Sequence, residues 1–236
     1  MAATSTSILP GTFNARDLGG LGGVRVGAVI RTDAPSDLGE EGREAVRRLG
    51  IRTAIDLREP IEIEQRPPEL DGLGINLVNV PILGTVAVSH DITLAQIYMM
   101  ILETRGDALG AAVAQIAAED STPVLVFCSA GKDRTGLVSA LTLSAVGVSD
   151  DEIIADYHRT EANMHGAFRA RITQRAIAAG LSEQQMVVGL GAPVELMRMV
   201  LDWLREQHGG AAGFLRDHGL SGADLDALER RLLQLH

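Results

Sequence analysis

The chain has 236 residues, 46% of them hydrophobic, which is ample for a substantial core. Its formal net charge of -10, with no run of Lys or Arg, argues against a nucleic-acid surface. With neither a long apolar stretch nor a basic leader and cleavage site, a cytoplasmic protein without stable membrane insertion is expected, although secretion without a cleaved signal would leave no trace.

In chain order, Arg16 and Asp17 lie in a Gly-flanked turn that is expected to fix the N-terminal segment against a sheet. Val24–Arg31 reads as a strand, and Leu38–Leu49 as a helix stopped by Gly50. Arg52–Leu57 and Ile75–Ile82 are rich in Ile, Val and Leu and read as strands, with Pro60–Pro68 as the loop between them. Ile92–Leu102 and Ala108–Ala118 read as helices. The wholly apolar run Val124–Phe127 suits a strand covered on both faces.

Beyond Gly136 every pattern is helical. Helices are expected at Leu137–Val146, Glu152–Thr160 behind a Ser149/Glu152 capping box, Ala167–Ala179, Pro193–Gln207, Gly213–His218 and Asp224–Leu235. The expectation is an α/β fold, a central sheet flanked by helices with a helical C-terminal half. Residues 1–236 then form a single domain, with a helical lid within 150–190. The Met-rich stretch Glu195–Val200 reads as core, and His158 and His165 as a solvated face.

The lone cysteine, Cys128, has no partner for an internal disulfide and is either core filler or a reactive thiol. It ends the apolar strand, and five residues, Ser129 to Asp133, separate it from Arg134 at the start of a helix. Such a loop turns several N–H groups toward one point beside the positive end of a helix, which suits an oxyanion such as phosphate. The helix end, Lys132 and Arg134 favour thiolate over thiol, making Cys128 a nucleophile that forms a phosphocysteine intermediate. Arg134 can grip two phosphate oxygens at once, and the Thr135 hydroxyl can donate to the leaving thiolate.

A leaving oxygen needs a proton. Asp133 lies inside the loop and is the preferred acid. Asp56, at the end of another expected strand, is the second candidate, and both Asp56 and Arg58 are counted with the substrate-binding residues. As a pair, Arg58 and Glu62 read more naturally as structural partners than as catalysts. A nucleotide-binding Walker loop is excluded because Asp133 follows Lys132 and Val126 stands where that motif needs Gly. The six histidines lack ligand spacing, so no metal or cofactor is expected.

The loop Cys-Ser-Ala-Gly-Lys-Asp-Arg-Thr-Gly, 128–136, resembles the signature of cysteine phosphatases, in particular the bacterial tyrosine and lipid-type enzymes, the mycobacterial secreted ones among them. Asn14–Gly20, Asp56-Leu57-Arg58 with Glu62, Ala155-Asp156-Tyr157 and the helical end Ala192–Leu233 resemble family segments in the same order. The resemblance implies a cysteine-phosphatase fold without a cofactor and hydrolysis of phosphotyrosyl protein, extending to other phosphomonoesters, with inorganic phosphate as product. It implies Cys128 as nucleophile, Arg134 as clamp, Asp133 as acid, and Ser129, Ala130, Gly131 and Lys132 as the phosphate-binding loop. Lys132 would meet a second phosphate on an inositol ring. One departure is Phe127, where such phosphatases usually carry a His that helps hold the loop. The alternatives are a phosphoinositide phosphatase, a non-catalytic phosphate-binding module and, more remotely, a sulfurtransferase.

Overall fold

The computed structural model describes residues 7–84, 92–163, 166, 169–170, 173 and 191–234. Five strands form one sheet in the order β1-β2-β5-β3-β4: β1 Arg16–Asp17, β2 Val29–Asp33, β3 Thr53–Asp56, β4 Asn76–Asn79 and β5 Val124–Cys128. β1 runs antiparallel to β2, and the remaining pairings are parallel. The sheet therefore delivers the C-terminal ends of β2, β3 and β5 to one edge, where α/β sheets bind ligands.

Side chains alternate across β5. Val124, Val126 and Cys128 enter one apolar cluster, and Leu125 and Phe127 enter another. The Phe127 cluster is closed by helix α1, Gly39–Arg48, whose Ala45 and Val46 are buried and whose Glu40/Glu41 and Arg47/Arg48 suit its dipole. On the Cys128 face lie α3 Leu94–Thr104, α4 Gly106–Ala117, α5 Asp133–Ala145 and α6 Asp150–Asn163. They are joined there by α7 Val194–His208, α8 Ala211–Asp217 and α9 Gly222–Leu232. α5 is buried from Arg134 to Leu143, as a helix beneath several others must be.

Two sequence expectations need correcting. Pro60–Pro68 is not all loop, because Pro60–Gln65 forms helix α2, started by Pro at its first turn and a Glu59/Glu62 capping box. The strand expected at Val24–Arg31 begins at Val29 and runs on to Asp33, with every residue buried despite Arg31 and Asp33. Val24 instead bridges Leu233 near the C-terminus. The helix expected at Ala167–Ala179 and the lid expected within 150–190 lie largely outside the described residues, and His165 lies outside them as well. The capping box expected at Ser149/Glu152 is present.

Candidate active site

Cys128 ends β5 and is 2% exposed, and five residues later α5 has already begun at Asp133. Donors outside the loop take its carbonyls. Ala34 N–H donates to Ser129 O at 3.5 Å, and Asn14 Nδ2 donates to Ala130 O at 3.2 Å and Gly131 O at 2.9 Å. Arg31 Nη2 donates to Gly131 O as well, at 2.9 Å. In a planar trans peptide the N–H points opposite to its C=O, so the N–H groups of Ala130, Gly131 and Lys132 face away from these donors, the arrangement that an anion site needs. Gly131 has φ +65°, and a Cβ there would sit 2.4 Å from Thr32 O, so no other residue fits this close approach to β2.

Arg134 is 7% exposed and is held end-on by Glu62 of α2, with Nη1 to Oε2 at 2.5 Å and Nη2 to Oε1 at 2.9 Å. Nη1 also reaches Leu57 O at 3.4 Å. Of the five guanidinium N–H groups, the edge made by Nε and the outer Nη2 hydrogen is left over, the edge suited to two oxygens of one phosphate. Burial alone would raise the Glu62 carboxyl, but Arg134's hydrogen bond and charge prevail and hold it down to about 2. Burial likewise opposes the Arg134 charge, yet Glu62 and the nearby Cys128 raise it further, so the guanidinium stays charged. Ser129 Oγ donates to Glu62 Oε1 at 2.5 Å, tying the loop to α2.

The Asp133 side chain is 31% exposed, and its Oδ1 lies 3.3 Å from Lys132 Nζ and accepts from Tyr98 Oη at 3.0 Å. Lys132 is wholly buried and its Nζ donates to Gly191 O at 3.0 Å. Asp56 and Arg58 are each 1% exposed and grip one another, Nη2 to Oδ2 at 2.6 Å, with the Arg58 guanidinium 5.5 Å from the centre of the Phe127 ring. Turned on one another in this way, the two brace the ends of β3 and β5. Phe127 points to the opposite face of the sheet from Cys128, and so packs beneath the loop without facing the thiol. The Thr135 hydroxyl is buried and has no hydrogen-bond partner among the described residues, Cys128 sulfur included.

A buried ion triad supports this arrangement. Asp156 of α6 pairs with Arg16 Nε at 2.6 Å and with Arg31 Nη1 at 2.7 Å, all three side chains being at most 5% exposed. Burial opposes the Asp156 charge, but the two guanidinium groups outweigh it and lower the carboxyl. Arg16 also donates to Asn14 Oδ1 at 2.6 Å, so the triad aims the same Asn14 that holds Ala130 and Gly131. Sequence reading reached Asn14, Arg16 and Asp156 only as members of segments, without a role at the site, and missed Arg31 and Tyr98 as its neighbours. The available signal was two charges, Arg31 and Asp33, following the apolar pair Val29-Ile30, which demand buried partners if the strand enters the core. Among the described residues no cluster has the makings of a metal site, and no helix is long and apolar enough to cross a membrane.

A model described as "Tyrosine phosphatase family" matches residues 8–234. The triple specificity protein phosphatase PtpB of Mycobacterium tuberculosis is 29% identical over 273 residues, covering 95% of this chain and 98% of that one. A putative tyrosine-protein phosphatase of Cupriavidus necator is 32% identical over 244 residues, covering 94% and 84%. Among solved structures, the core catalytic domain of the PP-IP phosphatase SIW14 from S. cerevisiae is similar at 20% identity and a TM-score of 0.43, over 74% of this chain and 96% of that one.

Proposed function

The chain belongs to the tyrosine phosphatase family, and from that premise we propose that it hydrolyses phosphotyrosyl proteins and other phosphomonoesters through a phosphocysteine at Cys128. The Cys128 sulfur attacks phosphorus as the P–O bond to the leaving group breaks, and Asp133 gives that oxygen its proton. Water then attacks phosphorus, the S–P bond breaks, and Asp133 takes the proton from the water. Through both steps the N–H groups of Ala130, Gly131 and Lys132 and the Nε/Nη2 edge of Arg134 hold the equatorial oxygens. We assign the buried, unpartnered Thr135 hydroxyl as donor to the departing thiolate.

The observation that carries this reading is the capture of three successive loop carbonyls by outside donors, which turns the N–H groups of the same peptides the other way, beside the chain's single thiol. A phosphatase that also takes other phosphomonoesters fits a chain similar to a relative named for triple specificity. Phosphoinositides rank second. Lys132, the group that would meet another ring phosphate, has its Nζ on Gly191 O, and the net charge of -10 weighs against an anionic membrane.

The test is a panel of phosphotyrosyl, phosphoseryl and phosphothreonyl peptides, short-chain phosphoinositides and thiosulfate, assayed with wild type and Cys128→Ser. Turnover of phosphotyrosyl peptides that disappears in Cys128→Ser is expected. Phosphate binding without turnover, turnover that survives in Cys128→Ser, or sulfur transfer from thiosulfate would each overturn it. A larger kcat/KM on phosphoinositides would invert the substrate order. For Asp133, the Asp133→Asn variant is expected to lose far more kcat on phenyl phosphate than on p-nitrophenyl phosphate, whose leaving group needs little help from an acid.

A further inference from the structure

The chain has only two tyrosines, and they meet hydroxyl to hydroxyl at 2.9 Å, Tyr98 from α3 and Tyr157 from α6. Their rings lie edge to face with centroids 6.3 Å apart, and both are wholly buried. Two buried hydroxyls are costly where a pair of Phe rings would pack the same volume, so their use is informative. Tyr98 spends its one proton on Asp133 Oδ1, at 3.0 Å, and its oxygen therefore accepts from Tyr157.

Lys132 Nζ stands on the same carboxylate oxygen, 3.3 Å away. Among the described residues no hydrogen bond reaches Asp133 Oδ2, on a side chain that is 31% exposed. An oxygen facing two donors has no room for a hydrogen of its own, so a protonated Asp133 carries its proton on Oδ2. We propose that Tyr98, held by Tyr157, is a positioning residue that fixes Asp133 Oδ1 as an acceptor and so presents the acid's proton on Oδ2 to the leaving group. The proposal rests on the reading of Asp133 as general acid.

Two further features fit. Burial, followed by the charge of Asp133, raises both tyrosines above the ordinary phenol range, so neither loses its proton while the enzyme works. Gly136, on the first turn of α5, leaves the space that Tyr157 fills: a Cβ there would come within 3.2 Å of the Tyr157 ring.

The test uses Tyr98→Phe, Tyr157→Phe, Asp133→Asn and the double variant Tyr98→Phe/Asp133→Asn, assayed on aryl phosphates that span a range of leaving-group acidity. Tyr98→Phe is expected to lower kcat on phenyl phosphate about tenfold, part of the 10²–10⁴ that general acid catalysis supplies, with a much smaller loss on p-nitrophenyl phosphate and little change in KM. Tyr157→Phe should show the same pattern more weakly, and Tyr98→Phe should cost nothing further in the Asp133→Asn background. Thermal unfolding and the rate of Cys128 alkylation by iodoacetate report whether the fold and loop survive. If Tyr98→Phe loses either, Tyr157→Phe carries the test with the same criterion. Equal losses on all leaving groups, or losses additive with Asp133→Asn, overturn the proposal. A flat leaving-group response in Asp133→Asn itself would instead remove the general-acid reading on which it stands.

Discussion

Glu62 holds Arg134 end-on, Oε2 2.5 Å from Nη1 and Oε1 2.9 Å from Nη2, and so decides which edge of the guanidinium an anion can reach. A hydrogen bond to a charged group is worth about 1.5–3 kcal/mol, so Glu62→Ala is expected to weaken inorganic phosphate binding by tenfold or more. Competitive inhibition by phosphate measures this directly. An unchanged inhibition constant would mean that Arg134 needs no such hold.

The same pair makes stability depend on pH. Folded Glu62 titrates at about 2 against an ordinary 4.5, so it binds protons less tightly folded than unfolded. Its contribution is therefore complete above the unfolded value and is lost as the pH falls through about 2. Urea midpoints of wild type and Glu62→Gln should differ most at neutral pH and converge toward pH 2. A gap that stays constant over that window would contradict the assignment.

Among the described residues, Asp156 is the one anion paired with the buried Arg16 and Arg31. Asp156→Ala leaves two cations uncompensated and is expected to cost about 3–5 kcal/mol, the usual penalty for stripping one side from a buried pair. Chemical denaturation gives the number. The loss should bring a fall in kcat/KM with it, since Arg31 also holds Gly131 O. A variant as stable as wild type would show that the triad is not needed.

Asn14 joins the triad to the loop, accepting from Arg16 on Oδ1 and donating to Ala130 O and Gly131 O. Asn14→Asp sets an acceptor against those two carbonyl oxygens and leaves them without their donor, a cost of about 1–3 kcal/mol. Phosphate should then protect Cys128 from iodoacetate more weakly than in wild type. Equal protection would argue against the carbonyl tether.

Gly131→Ala puts a Cβ 2.4 Å from Thr32 O at a φ of +65°. Strain of roughly 1–3 kcal/mol, together with movement of the loop away from β2, is expected. Activity should fall by far more than thermal stability, because the loop can shift while the sheet stays paired. A variant with wild-type kcat would show that the loop tolerates the extra atom.

Much of this was legible in one dimension. The run Val124–Phe127, the short loop and the start of α5 mark themselves by apolar pattern and spacing, since a strand and a helix each impose a period on their own residues. Helix α2 was hidden by its prolines, although Pro60 stands where proline is welcome, at a first turn, and Glu59 and Glu62 cap it. The strand expected at Val24–Arg31 stops short of β2's end because a carboxylate, Asp33, is out of place in a core unless another element meets it, as one does for Arg31. Their partners, Asp156 and the N–H groups of Phe13 and Asn14, come from other elements.

The sequence by itself determined the chemistry that needs neighbours in the chain: a thiol, an acid and a guanidinium within one loop between a buried strand and a helix. Only the tertiary structure decided which groups orient them. Glu62 on Arg134, Tyr98 on Asp133, and Asn14 with Arg31 on the loop carbonyls all come from distant segments. It also set Asp56 and Arg58, both candidate substrate ligands, against one another in a buried ion pair. The physical reason is that a local run of residues sets backbone conformation, whereas a buried charge or carbonyl is satisfied by whatever the fold brings against it, at separations that no local pattern records.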